Sequence, residues 1–108
     1  MFESFDSERS RYASLGVVVS LPEKLIDSIW LIIDLNLKGV VPLTNILYFD
    51  LINNNGKVTI HFSQEMSDVE MSIDLTFPYL EEYPAQVFAF DDGNKETIIL
   101  PMEMLENS

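Results

Sequence analysis

The 108-residue chain has the length of one domain, and its apolar fraction of 47% is enough to fill a core without a metal or a disulfide. It has no cysteine, which excludes disulfide bonds, and no apolar run reaches the roughly 18 residues that cross a bilayer. Eighteen acidic and six basic residues give a net charge of −12, which disfavours direct binding to nucleic acid or to an anionic membrane.

We therefore expect one acidic domain over residues 1–108, in the cytoplasm, with residues 1–10 loosely packed. That first segment is polar and acidic and lacks the apolar stretch of a secretory signal. The first predicted strand spans residues 11–19, where the run from Val17 to Val19 is β-branched.

A helix is predicted over residues 22–38. Ser20 precedes Glu23 by three positions, which is the spacing of a capping box, and Pro22 suits the first turn. Gly39 has the residue type of a C-terminal cap. At 100° per residue the apolar side chains share one broad arc, and they are Leu25, Ile26, Ile29, Trp30, Ile32, Ile33 and Leu37.

Leu31 and Leu35 do not fit this arc, because they lie one turn apart near its polar side. Two explanations stay open: the two leucines contact a loop or tail, or they form a small exposed contact patch. An exposed patch here, or an unpaired edge of the sheet, would offer a surface for a homodimer.

Five more strands are predicted from the alternation of apolar and polar residues, over residues 46–53, 57–64, 69–77, 86–91 and 96–100. Asn55-Gly56 and Asp92-Gly93-Asn94 indicate hairpin turns, and Pro101 ends the last strand. The element order is β-α-β-β-β-β-β. We therefore expect an α+β fold in which one N-terminal helix packs on a mostly antiparallel sheet of five to six strands.

The sequence offers little for catalysis. The single histidine, His61, lies mid-strand on the predicted polar face with Thr59 and Ser63 as its neighbours by alternation, and no oriented acid or oxyanion hole can be inferred. No His or Cys spacing typical of a metal site occurs. If Gly56 were the invariant glycine of a calcium loop, Leu51 would occupy its first ligand position. We expect neither enzyme activity nor a metal or cofactor.

The negative charge is unevenly distributed, with a net of −2 over residues 1–64 and −10 over residues 65–108. The candidate partner-binding acids are Glu65, Asp68, Glu70, Asp74, Glu81, Glu82, Asp91 and Asp92. Tyr79 and Tyr83 flank two of them and have the residue type of interface anchors. These residues predict a surface that binds a basic partner protein. The alternatives are that the acids only keep the protein soluble and that both rings pin their loop to the sheet edge.

Glu70 and Asp74 alternate on one predicted strand and lie about 13 Å apart along it. This distance is close to the axial rise of four phosphates at about 3.4 Å each. A line of carboxylates on a rigid sheet can therefore occupy a basic groove in place of a nucleic acid.

The first part of the chain contains the motifs R-Y-x-x-x-G from Arg11, L-P from Leu21 and I-W-x-x-I-D from Ile29. The end contains F-x-F-D-D-G-x-x-x-T-x-x-L from Phe88. Over residues 11–105, this order resembles a family of short proteins of unknown function from Gram-positive bacteria and their phages and plasmids.

Some members of that family resemble anti-CRISPR proteins, with which mobile elements inhibit the type II-A RNA-guided nuclease. The resemblance implies a non-catalytic inhibitor that binds this nuclease, which holds its guide and DNA in positively charged channels. Whether guide loading, DNA binding, cleavage or the amount of guide RNA is affected stays open. The alternative is a small cytosolic structural or interaction domain, with a homodimer as one form.

Overall fold

The strands join into one mixed sheet. The computed structural model describes residues 4–6 and 8–106. In that part the strands are β1 (Ser10–Ala13), β2 (Ile46–Asn54), β3 (Lys57–Ser63), β4 (Met71–Pro78), β5 (Gln86–Asp91) and β6 (Lys95–Ile99). The helices are α1 (Leu15–Ser20), α2 (Glu23–Ile32), which continues as a π-helical segment (Ile33–Leu37), and α3 (Pro101–Glu106). The predicted α+β class and number of strands are confirmed. None of the described helices is long and apolar enough to cross a membrane.

The strand order is β1-β6-β5-β2-β3-β4. β1 runs parallel to β6, and the other neighbouring strands are antiparallel. The β2–β3 hairpin turns at Asn55 and Gly56, whose φ angles are 53° and 91°. Positive φ at both central residues is the geometry of a type I′ hairpin turn, which Asn-Gly adopts easily, so the predicted turn is confirmed.

The core lies between one face of the sheet and the helices that follow β1. Buried residues of α2 and of the π-helical segment pack with buried strand residues that share one alternating set, including Leu47, Phe49, Leu51, Val58, Ile60, Phe62, Val87, Ala89 and Ile98. Successive strand residues point to opposite faces, so these helices cover one face, the core face. The opposite face of the sheet is called the open face below.

The predicted strand over residues 11–19 is wrong beyond Ala13. Ser14 adopts extended φ and ψ angles and caps α1, and its side-chain oxygen accepts a hydrogen bond from the backbone N–H of Val17 at 3.2 Å. Val17 is buried, whereas the two valines that follow it are exposed. The β-branched run therefore meets the core with a helical period instead of a strand period.

The predicted capping box is also wrong. Ser20 ends α1, and its hydroxyl donates to the carbonyl of Gly16 at 2.6 Å, while Pro22 occupies the N-cap of α2. Gly39 follows the π-helical segment with a φ of 80°, as its predicted capping role requires. The chain thus begins with a strand, and its helical part is divided, so a single N-terminal helix does not describe the fold.

Two further segments differ from the expectation. Pro101 does not merely end a strand, because it opens α3, where the absence of its N–H costs no hydrogen bond. Phe5 lies in the segment expected to be loosely packed, yet it is fully buried. Its N–H donates to Oδ2 of Asp91 at 2.7 Å. Residues 1–3 and 7 of that segment lie outside the described part.

Candidate partner-binding face of the sheet

The open face consists of the strand positions that alternate with the core positions. Across one row of it, Gln86 of β5, Asp50 of β2, His61 of β3 and Ser72 of β4 are paired side by side. Residues opposite each other on neighbouring strands have Cβ atoms about 4.5–5.5 Å apart, so these side chains are close neighbours. Hydrogen bonds join Gln86 to Asp50 and His61 to Ser72.

One half of the open face, over β2 to β4, is acidic. Oε1 of Glu65 accepts a hydrogen bond from the hydroxyl of Tyr48 at 2.9 Å, and Oδ1 of Asp74 accepts one from the hydroxyl of Thr59 at 2.7 Å. Oδ1 of Asp50 accepts from Nε2 of Gln86 at 2.8 Å. Burial and then the Glu65 carboxylate raise the pKa of Tyr48, which keeps its hydroxyl a donor. These contacts hold the carboxylates in place without neutralising them.

His61 of β3 contacts Ser72 of β4 and Glu70, which lies just before β4. Its Nδ1 lies 2.8 Å from Oγ of Ser72, and its Nε2 lies 2.7 Å from Oε1 of Glu70. The neighbours expected from alternation, Thr59 and Ser63, are not its partners. Positions two apart on a strand are about 6.6 Å from each other, farther than the opposing position on the next strand.

This serine, histidine and glutamate arrangement has the hydrogen-bond order of a catalytic triad, but acyl transfer also requires oxyanion donors and a substrate pocket. The Glu70 side chain is 60% exposed, and other residues line the cavities beside α1, α3 and the π-helical segment. What the geometry provides is a carboxylate at Glu70 whose position is fixed on the open face. Among the described residues, no group of three or more His, Asp or Glu side chains could hold a metal ion.

The other half of the open face, over β2, β5 and β6, is aromatic and apolar. The rings of Tyr48 and Phe88 are 4.9 Å apart, and Phe90 follows two positions along β5. Beside them lies a groove of about 590 Å³ that is bounded by Phe90, Thr97 and Met104 of α3, with Asp92 and Lys95 also in its lining. Lys95 lies 5.9 Å from the centre of the exposed Tyr12 ring. Aromatic rings that are partly exposed next to fixed charges are typical of protein interfaces.

The arginines at the start of the chain lie on the core face instead. Nη1 of Arg9 is 2.7 Å from Oδ2 of Asp91 and 3.8 Å from Oε2 of Glu96. Arg11 donates to both carboxylate oxygens of Asp34, at 2.7 and 2.8 Å, and through Nε to Glu96 at 2.8 Å. The hydrogen bonds from Arg11 lower the pKa of Asp34, whereas burial raises the pKa of Glu96. Both arginines therefore neutralise acids beside the core.

The structure brings part of the predicted acidic set together. Glu65, Glu70 and Asp74 line the acidic half of the open face, and the exposed Asp68 lies in the adjoining β3–β4 loop. Sequence reasoning missed Asp50, although it is the only acid in the predicted strand 46–53 and shares its face with Tyr48.

The loop after β4 lies at the opposite end of the sheet. Glu81 and Glu82 are exposed there, but the rings of Tyr79 and Tyr83 pack against the core and contact each other edge to face at 6.1 Å. This geometry matches the alternative in which both rings pin the loop. It leaves the two glutamates as the exposed groups of that end.

Two predicted acids have local roles. Asp91 is 1% exposed and accepts hydrogen bonds from the backbone of Phe5 and from Arg9, so it does not belong to the acidic surface. Asp92 lies in the β5–β6 turn, where its Oδ1 accepts from the backbone N–H groups of Asn94 and Lys95. These backbone bonds lower the pKa of Asp92.

Comparison with known proteins identifies the family. Residues 10–103 match the family described as staphylococcal protein of unknown function (DUF960). The chain belongs to this family. It is also 74% identical to a solved structure described as the protein of unknown function from Enterococcus faecalis, with a TM-score of 0.94 over 96% of this chain and 98% of that chain. No curated protein matches the chain. The resemblance to a family of unknown function from Gram-positive bacteria is thus confirmed, and neither description mentions an inhibitor.

Proposed function

We propose that this protein is a non-catalytic binding protein whose open face docks on a basic surface of a partner protein. The proposal rests on which carboxylates are paired with a cation and which are not. Within the described residues, Arg9 and Arg11 pair with carboxylates on the core face, whereas Asp50, Glu65 and Asp74 accept hydrogen bonds from uncharged groups. Fixed carboxylates without a cation, next to partly exposed aromatic rings, suit a surface that receives Arg and Lys.

The concrete partner we propose is the type II-A RNA-guided nuclease, which would make this protein an anti-CRISPR inhibitor in the cytoplasm of the bacterial host. The support is the sequence resemblance described above, together with the acidic half of the open face. Such a nuclease binds its guide and DNA in positively charged channels and recognises the flanking motif through arginines. The carboxylates of Asp50 on β2 and Asp74 on β4, with Glu65 and Glu70 beside the ends of β3 and β4, offer a rigid group of negative charges to such a channel.

The test is DNA cleavage by a purified type II-A nuclease, with the protein added either before or after the guide RNA. We expect inhibition together with co-elution of the two proteins, and dependence on the order of addition would identify the channel that is blocked. Absence of both inhibition and co-elution would remove this nuclease as the direct partner.

Charge reversal tests the surface. The Glu70→Lys/Asp74→Lys variant should raise the concentration needed for inhibition by more than about tenfold. The matched control is Glu23→Lys/Asp27→Lys, which changes the net charge equally on the exposed side of α2. Equal loss in both variants would show an effect of net charge alone, and unchanged inhibition in both would refute docking through the open face.

If the nuclease is not the partner, the same variants still test the coarser proposal. Proteins captured from an Enterococcus faecalis lysate by the wild-type chain would be compared with those captured by each variant. The proposal requires a basic protein that the α2 variant retains and the open-face variant loses. A set of captured proteins that does not change between the variants would contradict it.

A second candidate function is a homodimer formed through the helical side. Leu31 and Leu35 are 55% and 74% exposed, and no described loop covers them. The charges around them are nearly balanced, because Lys24 and Lys38 accompany Glu23 and Asp27 while Asp34 is paired with Arg11. Two copies could therefore approach through this side without the repulsion that the open face would cause.

Light scattering over a range of concentrations tests the dimer. The expected result is a mass that rises with concentration in the wild-type chain and stays monomeric in Leu35→Glu. Leu80→Glu, at an exposed leucine of the loop after β4, is the control and should still associate. A wild-type mass that stays monomeric at all concentrations would exclude the dimer.

A further inference from the structure

The β4 edge of the sheet is open in the described structure. β4 ends the strand order and pairs on one side only, with β3. In an antiparallel pair every second residue directs its N–H and C=O away from its neighbour, so this edge presents unpaired backbone donors and acceptors. β4 has no lysine and no proline before its last residue, Pro78, and it therefore lacks two devices that commonly block an edge.

The ladder is regular only in the first part of β4. Met71, Ser72, Ile73 and Asp74 pair in register with β3, and an irregularity follows before Pro78 pairs with Lys57. A bulge at an edge bends the strand and interrupts further pairing. The part of the edge that can accept another strand is thus short, and it lies next to Glu70.

The two faces of this short edge differ in chemistry. On the core face, Met71 and Ile73 pack against the core but stay only half-buried, because no further strand covers their outer side. On the open face, Asp74 is exposed, and the Glu70 side chain just before the strand is 60% exposed. A strand that completes the edge would cover apolar surface with one alternate set of side chains and meet carboxylates with the other.

We infer that the β4 edge accepts an extended segment of a partner, with alternating cationic and apolar side chains, as a seventh strand of the sheet. A second copy of this chain does not satisfy the edge. A two-fold antiparallel β4 pair would bring Glu70 and Asp74 of one copy close to the same carboxylates of the other, and like charges opposite each other destabilise a ladder. Cations opposite these positions stabilise it.

This inference rests on the proposed function in one respect, since it specifies how part of a basic partner engages the acidic half. It adds a requirement that docking on the open face lacks, namely backbone hydrogen bonds to β4. That requirement separates the two ideas experimentally.

The probe is the acetylated and amidated peptide Lys-Val-Lys-Val-Lys-Val-Lys, which is titrated into the full chain at low salt. Amide hydrogen exchange measured by NMR should show slower exchange at alternate residues of Met71–Asp74, and the peptide with Glu in place of Lys should not bind. Addition of salt should weaken the binding. Absence of any binding by the lysine peptide would overturn the inference.

Backbone methylation distinguishes strand addition from docking of side chains. Two further peptides have N-methyl groups on either all the lysines or all the valines, so their charge is unchanged. Residues with the same side-chain face also direct their N–H groups the same way, so one methylated peptide should lose affinity by at least about tenfold while the other keeps it.

The remaining outcomes decide between the two proposals. Equal binding of both methylated peptides, without slower exchange in β4, would refute strand addition and leave docking on the open face intact. Slower exchange in β4 that depends on the concentration of the chain instead of the peptide would assign the edge to a second copy. The peptide could slow exchange in β4 while the wild type and Glu70→Lys/Asp74→Lys capture the same proteins. That result would refute only the open-face proposal.

Discussion

Arg11 shows how a single residue links the fold to the candidate site. Its guanidinium binds Asp34 with two hydrogen bonds, binds Glu96 of β6 with a third, and lies 4.7 Å from the centre of the Trp30 ring. A planar guanidinium suits such a site because it can form a forked pair and stack on an aromatic ring at the same time. Because Arg11 is held by these contacts, it is not available to the carboxylates of the open face.

Asp34→Asn should therefore lower the free energy of unfolding by about 1–2 kcal/mol at neutral pH, because the Asp34 side chain is only 30% exposed and loses a charged pair. The hydrogen bonds from Arg11 lower the pKa of Asp34 below its ordinary value of 3.8. The ion pair therefore stabilises the fold fully above pH 3.8, and this stabilisation is lost as the pH falls through the lower pKa of Asp34 in the folded state. The difference in free energy of unfolding between Asp34→Asn and the wild type should therefore disappear at low pH. Urea unfolding at several pH values measures it.

The control for this measurement is Asp27→Asn, an exposed acid on the same helix, which should change stability by less than about 0.5 kcal/mol. If both variants lose the same stability, or if the Asp34 difference does not depend on pH, the ion pair does not act as described.

At the scale of elements, Ser14 joins the two helices that the sequence did not predict. Its side-chain oxygen caps α1 by accepting from Val17 N–H, and its hydroxyl donates to Oε1 of Glu103 in α3 at 2.5 Å. Glu103 also accepts from the backbone N–H of Leu100 at 2.8 Å, which fixes the start of α3. One serine thus holds the end of β1, the start of α1 and α3 together.

Ser14→Ala should lower the free energy of unfolding by about 1–2 kcal/mol, the usual cost of losing an N-cap and a hydrogen bond to a carboxylate. Ser28→Ala is the matched control, because its hydroxyl bonds only to the Lys24 carbonyl on an exposed part of α2. Ser28→Ala should change the free energy of unfolding by less than about 0.5 kcal/mol. Thermal unfolding of the three proteins measures both effects, and equal stabilities would show that the Ser14 link contributes nothing.

The sequence predicted those elements whose determinants are close together along the chain. The β2–β3 hairpin follows from strict alternation around Asn55-Gly56, and α2 follows from its apolar arc. Ser14 and Ser20 are both residue types that cap helices, and only packing decides that the first begins a helix while the second ends one. The parallel pairing of β1 with β6 joins residues about 85 positions apart, which no local pattern reports.

The acids of the candidate site could also be predicted only where a local pattern determines their orientation. Glu70 and Asp74 follow from the alternation of one strand, so their common orientation could be predicted. Asp91 has the same residue type and lies in an equally clear strand, but its side chain meets Arg9, 82 positions earlier in the chain. Its burial depends on which face of β5 meets the N-terminal segment, and that depends on strand order.

For the whole molecule, the main feature is the separation of compensated from uncompensated charge. Arg9 and Arg11 pair with Asp34, Asp91 and Glu96 beside the core, whereas Asp50 on β2 and Asp74 on β4 have only uncharged hydrogen-bond partners among the described residues. Like charges that are placed close together destabilise the folded state. If these acids serve binding, their arrangement should be less stable than a neutral one would be, as is common at functional sites.

Glu70→Gln/Asp74→Asn should therefore raise the free energy of unfolding by about 0.5–1 kcal/mol at low ionic strength, which corresponds to a few degrees in melting temperature. Both replacements keep the hydrogen bonds to His61 and Thr59 and remove only charge. The gain should vanish in about 1 M NaCl, where the Debye length falls to about 3 Å. Glu23→Gln/Asp27→Asn removes the same charge near Lys24 and the N-terminus of α2, so no comparable gain is expected there. Calorimetry of the wild type and both double variants, each at low and at high salt, measures these gains. Equal gains in the two variants would mean that the acids of the open face only add to the net charge.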